Sequence, residues 1–310
     1  MKCIKKTNLS KQWIVPLVFL MGLFNFNQAW SNPIANTPLH PQLTAFLKPT
    51  PVSTQKPERV ISLAPHITEL LFSAGAGNKV VGVVEYSNFP KAALDIDNVG
   101  RYNAINIEKI IQLKPDLIIA WKSANRPKDI NKLTSLGLKV MFSDPNQLDD
   151  IPTEIRHFGR QLNTSKTANL VANQLEQQLK TLRQTYQSKP TISAFYQIWN
   201  APIMTVNGKQ FMSQALNLCG AQNSFANLPL LAAEINIESV IAKNPDVILL
   251  GGEKTMQQTW LDHWKKWRTV KAVNNQHIYM LNADTFQRPT QRFIEGIEQL
   301  CQTLDQARVN

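Results

Sequence analysis

Three aromatic side chains fall at the ends of apolar runs: Tyr86 follows 80–84, Trp121 follows 117–120 and Trp199 follows 192–198. Ligands of open parallel sheets sit beyond the carboxyl ends of strands, so rings at such positions are placed to wall a cleft and cover a broad apolar ligand. A core or rim position is the competing reading for each. Catalytic chemistry has no comparable footing. Gly75-Ala76-Gly77 and Gly251-Gly252 are too brief to cradle a phosphate, and there is no Gly-x-Ser-x-Gly elbow. The five histidines lack a Ser or Cys partner in a recognisable motif, and none are paired at the close spacings of a zinc site. These residues point to binding rather than an enzyme, with no resident cofactor or metal. Trp260, Trp264 and Trp267, at i, i+4 and i+7, follow helical spacing and read as core.

Short apolar runs at 60–63, 80–84, 117–121 and 140–142 alternate with helical patterns at 68–74, 107–113 and 130–136, which predicts a parallel sheet covered by helices. At 166–189 the pattern changes to one long helix, with Val171, Leu175, Leu179, Leu182 and Tyr186 spaced by three and four. Such a helix spans about 36 Å, and Pro190 ends it. A second alternating series follows at 192–199, 211–218, 237–242, 247–250, 260–270 and 278–281, with a last helix from about 290. A chain of 310 residues is long enough to divide into two cores. The expected class is α/β, with lobes at 58–163 and 190–310 joined by a helix at 164–189.

An internal repeat supports that division. The segment 106–119, Asn-Ile-Glu-Lys-Ile-Ile through Lys-Pro-Asp-Leu-Ile-Ile, matches 236–249 at seven of fourteen positions. Each copy reads as helix, Pro-Asp turn and buried strand. Similar units converge on such patterns, but nothing in their packing demands the shared Glu108 and Glu238.

The chain carries 33 basic and 22 acidic residues, a formal +11. Four of the lysines, Lys2, Lys5, Lys6 and Lys11, precede a 12-residue apolar run at 13–24 and then Ala29-Trp30-Ser31. A basic start, a short apolar run and a small-x-small site make 1–31 a secretory signal peptide. Pro16 and the shortness of the run count against a membrane anchor. Without those lysines 29 basic residues face 22 acidic ones, a net +7 with no dense stripe, so nucleic acid is not a partner. The Pro-rich stretch 32–57 reads as a flexible lead-in. Export also leaves only Cys219 and Cys301, in a compartment where thiols oxidise. A disulfide is the default, and two separately buried thiols are the alternative.

Ser62-x-x-Pro65-x-x-Thr68-Glu69-Leu70, Tyr86-Ser87-x-x-Pro90, the Asn-Ile-Glu/Pro-Asp repeat, Leu218-Cys219-Gly220 and Asp284-x-Phe286-x-Arg288 resemble the periplasmic cobalamin-binding proteins of vitamin B12 uptake ABC transporters, within a class of metal-chelate solute-binding proteins. The resemblance runs from Arg59 to the end. It implies two Rossmann-like lobes with central parallel sheets, joined by one long helix, and a cleft that closes only slightly. It also implies a monomer that takes up cobalamin as cargo in the periplasm and passes it to an inner-membrane permease dimer. Carried over by position, Tyr86, Tyr102 and Trp121 would face the ligand from the first lobe, and Trp199, Asp284, Phe286 and Arg288 from the second. Aromatic walls suit the corrin faces, and Asp and Arg suit its amide rim. Tyr102 stands where the best-known member carries Trp, and Ala232 or a neighbour stands where it carries another, which leaves Trp199 as the candidate second-lobe ring. Glu108 and Glu238 would dock on arginines of the transporter. The same scaffold with haem, cobinamide or a ferric siderophore is the alternative; a siderophore site would show several basic residues, and only Arg288, joined by Arg101, is available. His66 is read as a solvent-facing or loop-packing residue before the first helix rather than a metal ligand.

Overall fold

The computed structural model describes residues 56–309. The expected signal peptide at 1–31 and the lead-in at 32–57, apart from its last two residues, lie outside them. In the first lobe β1 (Val60–Ser62) leads to α1 (Pro65–Ser73) and β2 (Val80–Val83). A two-strand ribbon, β3 (Gly100–Arg101) and β4 (Ala104–Ile105), precedes α2 (Ile107–Gln112), β5 (Leu117–Trp121), α3 (Pro127–Ser135), β6 (Val140–Ser143) and α4 (Asp150–Gln161). The sheet order is β2-β1-β5-β6, and every pairing is parallel. The chain thus places β2 on one side of β1 and β5 on the other, which opens a crevice at their carboxyl ends.

The connecting helix α5 (Ser165–Tyr186) ends four residues before Pro190, somewhat short of the expected 189. In the second lobe come β7 (Ile192–Asn200), β8 (Ile203–Val206), α6 (Phe211–Leu218), β9 (Ala221–Asn223), β10 (Ala232–Glu234) and α7 (Ile237–Lys243). They are followed by β11 (Val247–Leu250), α8 (Lys254–Trp264), α9 (Lys271–Asn274), β12 (Ile278–Met280), α10 (Ala283–Phe286) and α11 (Gln291–Val309). Strands β9, β7, β11 and β12 pair in parallel, but β8 and β10 are antiparallel additions, so this sheet is mixed rather than wholly parallel. The reason is local: two residues separate β7 from β8, and only an antiparallel pair can be joined so briefly.

The helical stripe works as its spacing requires. Leu175, Leu179, Leu182 and Tyr186 are buried in a cluster that also takes in Val60 and Leu117 of the first sheet, Val247 and Leu249 of the second, and Ile297 and Leu300 of α11. The lobes share one continuous core. Cys219, at the end of α6, and Cys301, inside α11, are both fully buried and form a disulfide with Cα atoms 4.8 Å apart. Trp260 and Trp264 are core, as their spacing predicts. Trp267 is not, because the chain leaves the helix at Lys265 and turns so that Val270 enters the core instead.

The two repeat copies share their internal construction. Asn106 and Asn236 cap α2 and α7 by accepting from the backbone N–H of Lys109 and Ser239. Lys114 and Asn244, each just before the proline, both take left-handed backbone, with φ of 47° and 46°. Asp116 then accepts the backbone N–H groups of Glu58 and Arg59, while Asp246 accepts the N–H and hydroxyl of Ser193. Each Pro-Asp turn therefore pins the start of its lobe's central strand.

Candidate functional site

Pro65 at the first helical position starts α1 immediately after β1, which carries His66 inside the helix rather than the loop expected for it. His66 is buried, with its ring edge-on to Trp121 at 4.9 Å, and its Nε2 has no hydrogen-bond partner among the described residues. Burial pushes its pKa down to about 3; the charge of Asp144 opposes this shift and that of Arg288 adds to it. His66 is therefore a neutral ring in the cleft wall and not a solvent-facing one.

Trp121, the last residue of β5, is held at two points. Its backbone N–H donates to Asn125 Oδ1 at 2.6 Å, and its indole N–H donates to Asp144 Oδ1 at 3.0 Å, which also accepts from Ser123 Oγ at 2.7 Å. Asn125 Nδ2 donates in turn to the carbonyls of Leu63 and Tyr102, tying three segments together. The Tyr102 ring stands 5.7 Å from that of Trp121.

The facing wall comes from β7 and β8. Ile198 and Trp199 are neighbours, which on a regular strand would point to opposite faces, yet both line the cleft. The β7–β8 register shifts between Gln197 and Trp199, and such a bulge re-aims side chains. Met204 and Val206 of β8, Phe211 and Leu231 complete this wall. Tyr196 lies at its base with a fully buried ring, and burial raises its pKa, so the hydroxyl stays protonated. A side chain on Gly251 would collide with that ring.

Between the walls is a cavity of about 460 Å³, within the range of small-molecule sites. Its lining is mostly carbon. Lys209 and Asp144 are the only oppositely charged residues among the lining side chains, so the cavity has no net anion-trapping charge.

Beside the cavity, between the lining residues Gln287 and Pro289, Arg288 reaches across to the first lobe. Its Nη1 donates to Glu69 Oε1 at 3.0 Å and to Asn88 Oδ1 at 2.8 Å, and its Nη2 donates to Asp284 Oδ1 at 2.5 Å. Asn88 Nδ2 donates to Asp284 Oδ2 at 3.0 Å. Arg292 grips Glu69 through two further bonds, at 2.9 and 2.6 Å, and its guanidinium lies 4.0 Å from the Phe89 ring centroid. Glu69 is only 3% exposed, so an interlobe ion cluster is built on a buried carboxylate.

Of the residues expected from the sequence, the structure brings Trp121 and Trp199 to the cavity and puts Tyr102 beside Trp121; Asp284 and Arg288 are not among the lining residues but join the interlobe cluster next to lining Gln287 and Pro289. Tyr86 is exposed, with left-handed backbone at φ 66°, and is not among the lining residues. Phe286 is a correction: it is buried against Phe293 at 5.9 Å and does not reach the cavity. Asp284 and Arg288, four apart, share a face of the turn, and Phe286 between them points to the core. Ala232 and Leu231 are in the lining, at the place where the missing ring was expected. Glu108 and Glu238 lie away from the cavity, exposed in the first turns of α2 and α7. Sequence reasoning missed Asp144 and Lys209, and did not single out Glu69 although it stands within the quoted Pro-x-x-Thr-Glu motif.

Comparison with known proteins agrees with this geometry. Residues 60–285 match the family model described as periplasmic binding protein. The vitamin B12-binding protein of Vibrio cholerae serotype O1 is 38% identical over 260 residues, 83% of this chain and 93% of that one. The crystal structure of the periplasmic vitamin B12-binding protein BtuF of Vibrio cholerae superposes with a TM-score of 0.76 at 37% identity, covering 82% of this chain and 99% of the other. A periplasmic haem-binding protein from Roseiflexus sp. RS-1 shares the fold, with a TM-score of 0.72 at 22% identity and coverage of 81% and 98%. With its family model matched over most of its length and two α/β lobes facing each other across an aromatic cleft, the chain belongs to the periplasmic binding protein family.

Proposed function

We propose that this chain captures cobalamin in the cleft between its lobes and delivers it to an inner-membrane ABC importer. The observation that carries this reading is the facing pair of aromatic walls around Trp121 and Trp199, with an Asp284–Arg288 pair next to the lining residues Gln287 and Pro289. Rings present flat apolar area to a macrocycle at little entropic cost, and an acceptor beside a donor suits an amide rim. The names of the relatives at 32–38% identity support the same ligand. A haem or ferric siderophore carries acidic groups, and a lining with one Lys against one Asp offers them little attraction. Cobalamin is cargo here and not a cofactor.

The reading extends to export through the 1–31 signal peptide, a monomeric carrier in the periplasm, and docking on a permease dimer through Glu108 and Glu238. Their matched places in the two repeats support docking, since the shared Asn, Pro and Asp build the cap and turn and Ile118 and Ile248 are core, while these two carboxylates are exposed. A permease built as a symmetric dimer offers the same surface twice, which suits a pseudo-symmetric carrier. As first-turn acids they also favour the positive helix end, by about 0.3 to 1 kcal/mol each. Uptake of labelled cyanocobalamin by vesicles containing the permease tests the proposal. The double variant Glu108→Ala, Glu238→Ala should bind cyanocobalamin as the wild type does and support no uptake; normal uptake would eliminate docking through this pair.

A further inference from the structure

The cluster beside the cavity already holds a carboxamide. Asn88 belongs to the turn after β2, and its side chain crosses the cleft to bridge Asp284 and Arg288 on the other lobe. Asp284 can only accept and Arg288 can only donate, which fixes the amide with nitrogen on the aspartate and oxygen on the guanidinium. No other simple group meets both demands. A carboxylate has no hydrogen to give and is repelled by Asp284; an ammonium cannot accept. A hydroxyl offers both roles from a single atom, whereas this pair addresses two.

We propose that Asn88 is an internal stand-in for the ligand: its carboxamide occupies the Asp284–Arg288 pair in the free protein, and cargo displaces it by presenting a primary carboxamide of its own. The inference rests on the function proposed above and deepens it, because it names the chemical group read beside the cavity and the residue that competes for it.

The surroundings fit an exchangeable contact on a fixed receptor. Asn88 is exposed, and the Asp284 side chain is 45% exposed, so both can trade partners with water during exchange. Arg288 is different. Its guanidinium is 12% exposed and is also bonded to buried Glu69, which Arg292 holds from a second direction. Loss of Asn88 therefore leaves Arg288 aimed as before. The turn is fixed as well: Ser87 is buried and its Oγ accepts from Thr68 Oγ1 of α1 at 3.1 Å, while Phe89 lies under Arg292. Only the Asn88 side chain has to swing away. A competitor that occupies a site reduces apparent affinity by the fraction of molecules left competent, so its removal tightens binding.

The test compares the full-length mature wild type with Asn88→Ala by calorimetric titration with cyanocobalamin, and follows the Asn88 side-chain amide of the wild type by ¹H–¹⁵N NMR, assigned by its absence in the variant. Asn88→Ala should bind about three- to tenfold more tightly. The Asn88 amide signal should move to the position of a solvated asparagine when the wild type is saturated. Binding by the wild type without tightening in the variant, or an Asn88 signal unmoved at saturation, overturns the stand-in role and leaves the cobalamin reading intact. A wild type that does not bind cyanocobalamin removes both.

Discussion

Trp121 is anchored by polar side chains at both its backbone and its indole N–H, whereas on the facing wall the Trp199 indole donates to the nearby carbonyl of Ala201 and only the Trp199 carbonyl is met by a side chain, that of Gln197 at 3.2 Å. The first wall also contains buried His66, and its segments are stitched together by Asn125. Apart from that Gln197 contact, the second relies on a strand bulge and on apolar side chains, of which Trp199 and Leu231 remain substantially exposed. Buried, satisfied polar anchors specify one geometry, while exposed apolar contacts repack at low cost. The first lobe thus presents a fixed template and the second an adaptable cover, so differences in cargo among proteins of this fold are expected to be written mainly on the second wall.

The largest effect should come from breaking the joint that holds the two walls in register. Glu69→Ala leaves a buried space, removes the carboxylate that Arg292 grips and leaves Arg288 with the Asp284 carboxylate alone, and should lower stability by about 3 kcal/mol in urea unfolding. A change below about 1 kcal/mol would mean that the walls are held together by the shared core alone.

His66 gives the fixed wall a pH signature on the acid side. Its folded pKa, about 3, lies below the ordinary 6.5. Between those values the unfolded chain holds a proton that the folded chain does not, so stability is fully present above pH 6.5 and falls as pH drops toward 3. By pH 5 this amounts to about 2 kcal/mol. His66→Leu should flatten that part of the stability profile; an unchanged slope between pH 7 and 5 would place the titration elsewhere.

The walls themselves separate on truncation. Trp121→Ala should weaken cyanocobalamin binding by about fivefold to a hundredfold, and Trp199→Ala by less than about fivefold, because Leu231 and Met204 can close over the gap. Equal losses, read by calorimetry, would erase the distinction between template and cover. Smallest of all, Asp144→Ala frees the Trp121 indole while keeping its ring, and should cost about two- to fivefold in affinity. No loss at all would show that packing alone fixes Trp121.

Much of the architecture was legible in the sequence because it is periodic. The α5 stripe, the strand runs of both sheets and the Pro-Asp turns all carry local signals, and Trp121 and Trp199 could be placed at the cleft simply because they end strands. The departures have specific causes. Strand β8 is paired by its hairpin with β7, and the three-residue β10 joins it antiparallel only after α6 and β9 have intervened, so neither pairing is reported by a local pattern. His66 was assigned to a loop although Pro65 marks the start of a helix. Phe286 was carried along with its motif, and only the helical turn shows that it faces away from Asp284 and Arg288. Tyr86 owes its exposure to a left-handed backbone that Tyr rarely adopts. Glu69 finds its partners 219 and 223 residues further on, a pairing that no local pattern reports. The disulfide was reachable by counting, since only Cys219 and Cys301 follow the expected signal peptide.

Calorimetric titration decides whether cobalamin is the cargo of this cleft. Cyanocobalamin should saturate at one molecule per chain, with haemin and a ferric siderophore binding far more weakly under the same conditions. The absence of saturable heat with cyanocobalamin, or tighter binding of haemin or the siderophore, would contradict cobalamin as the cargo.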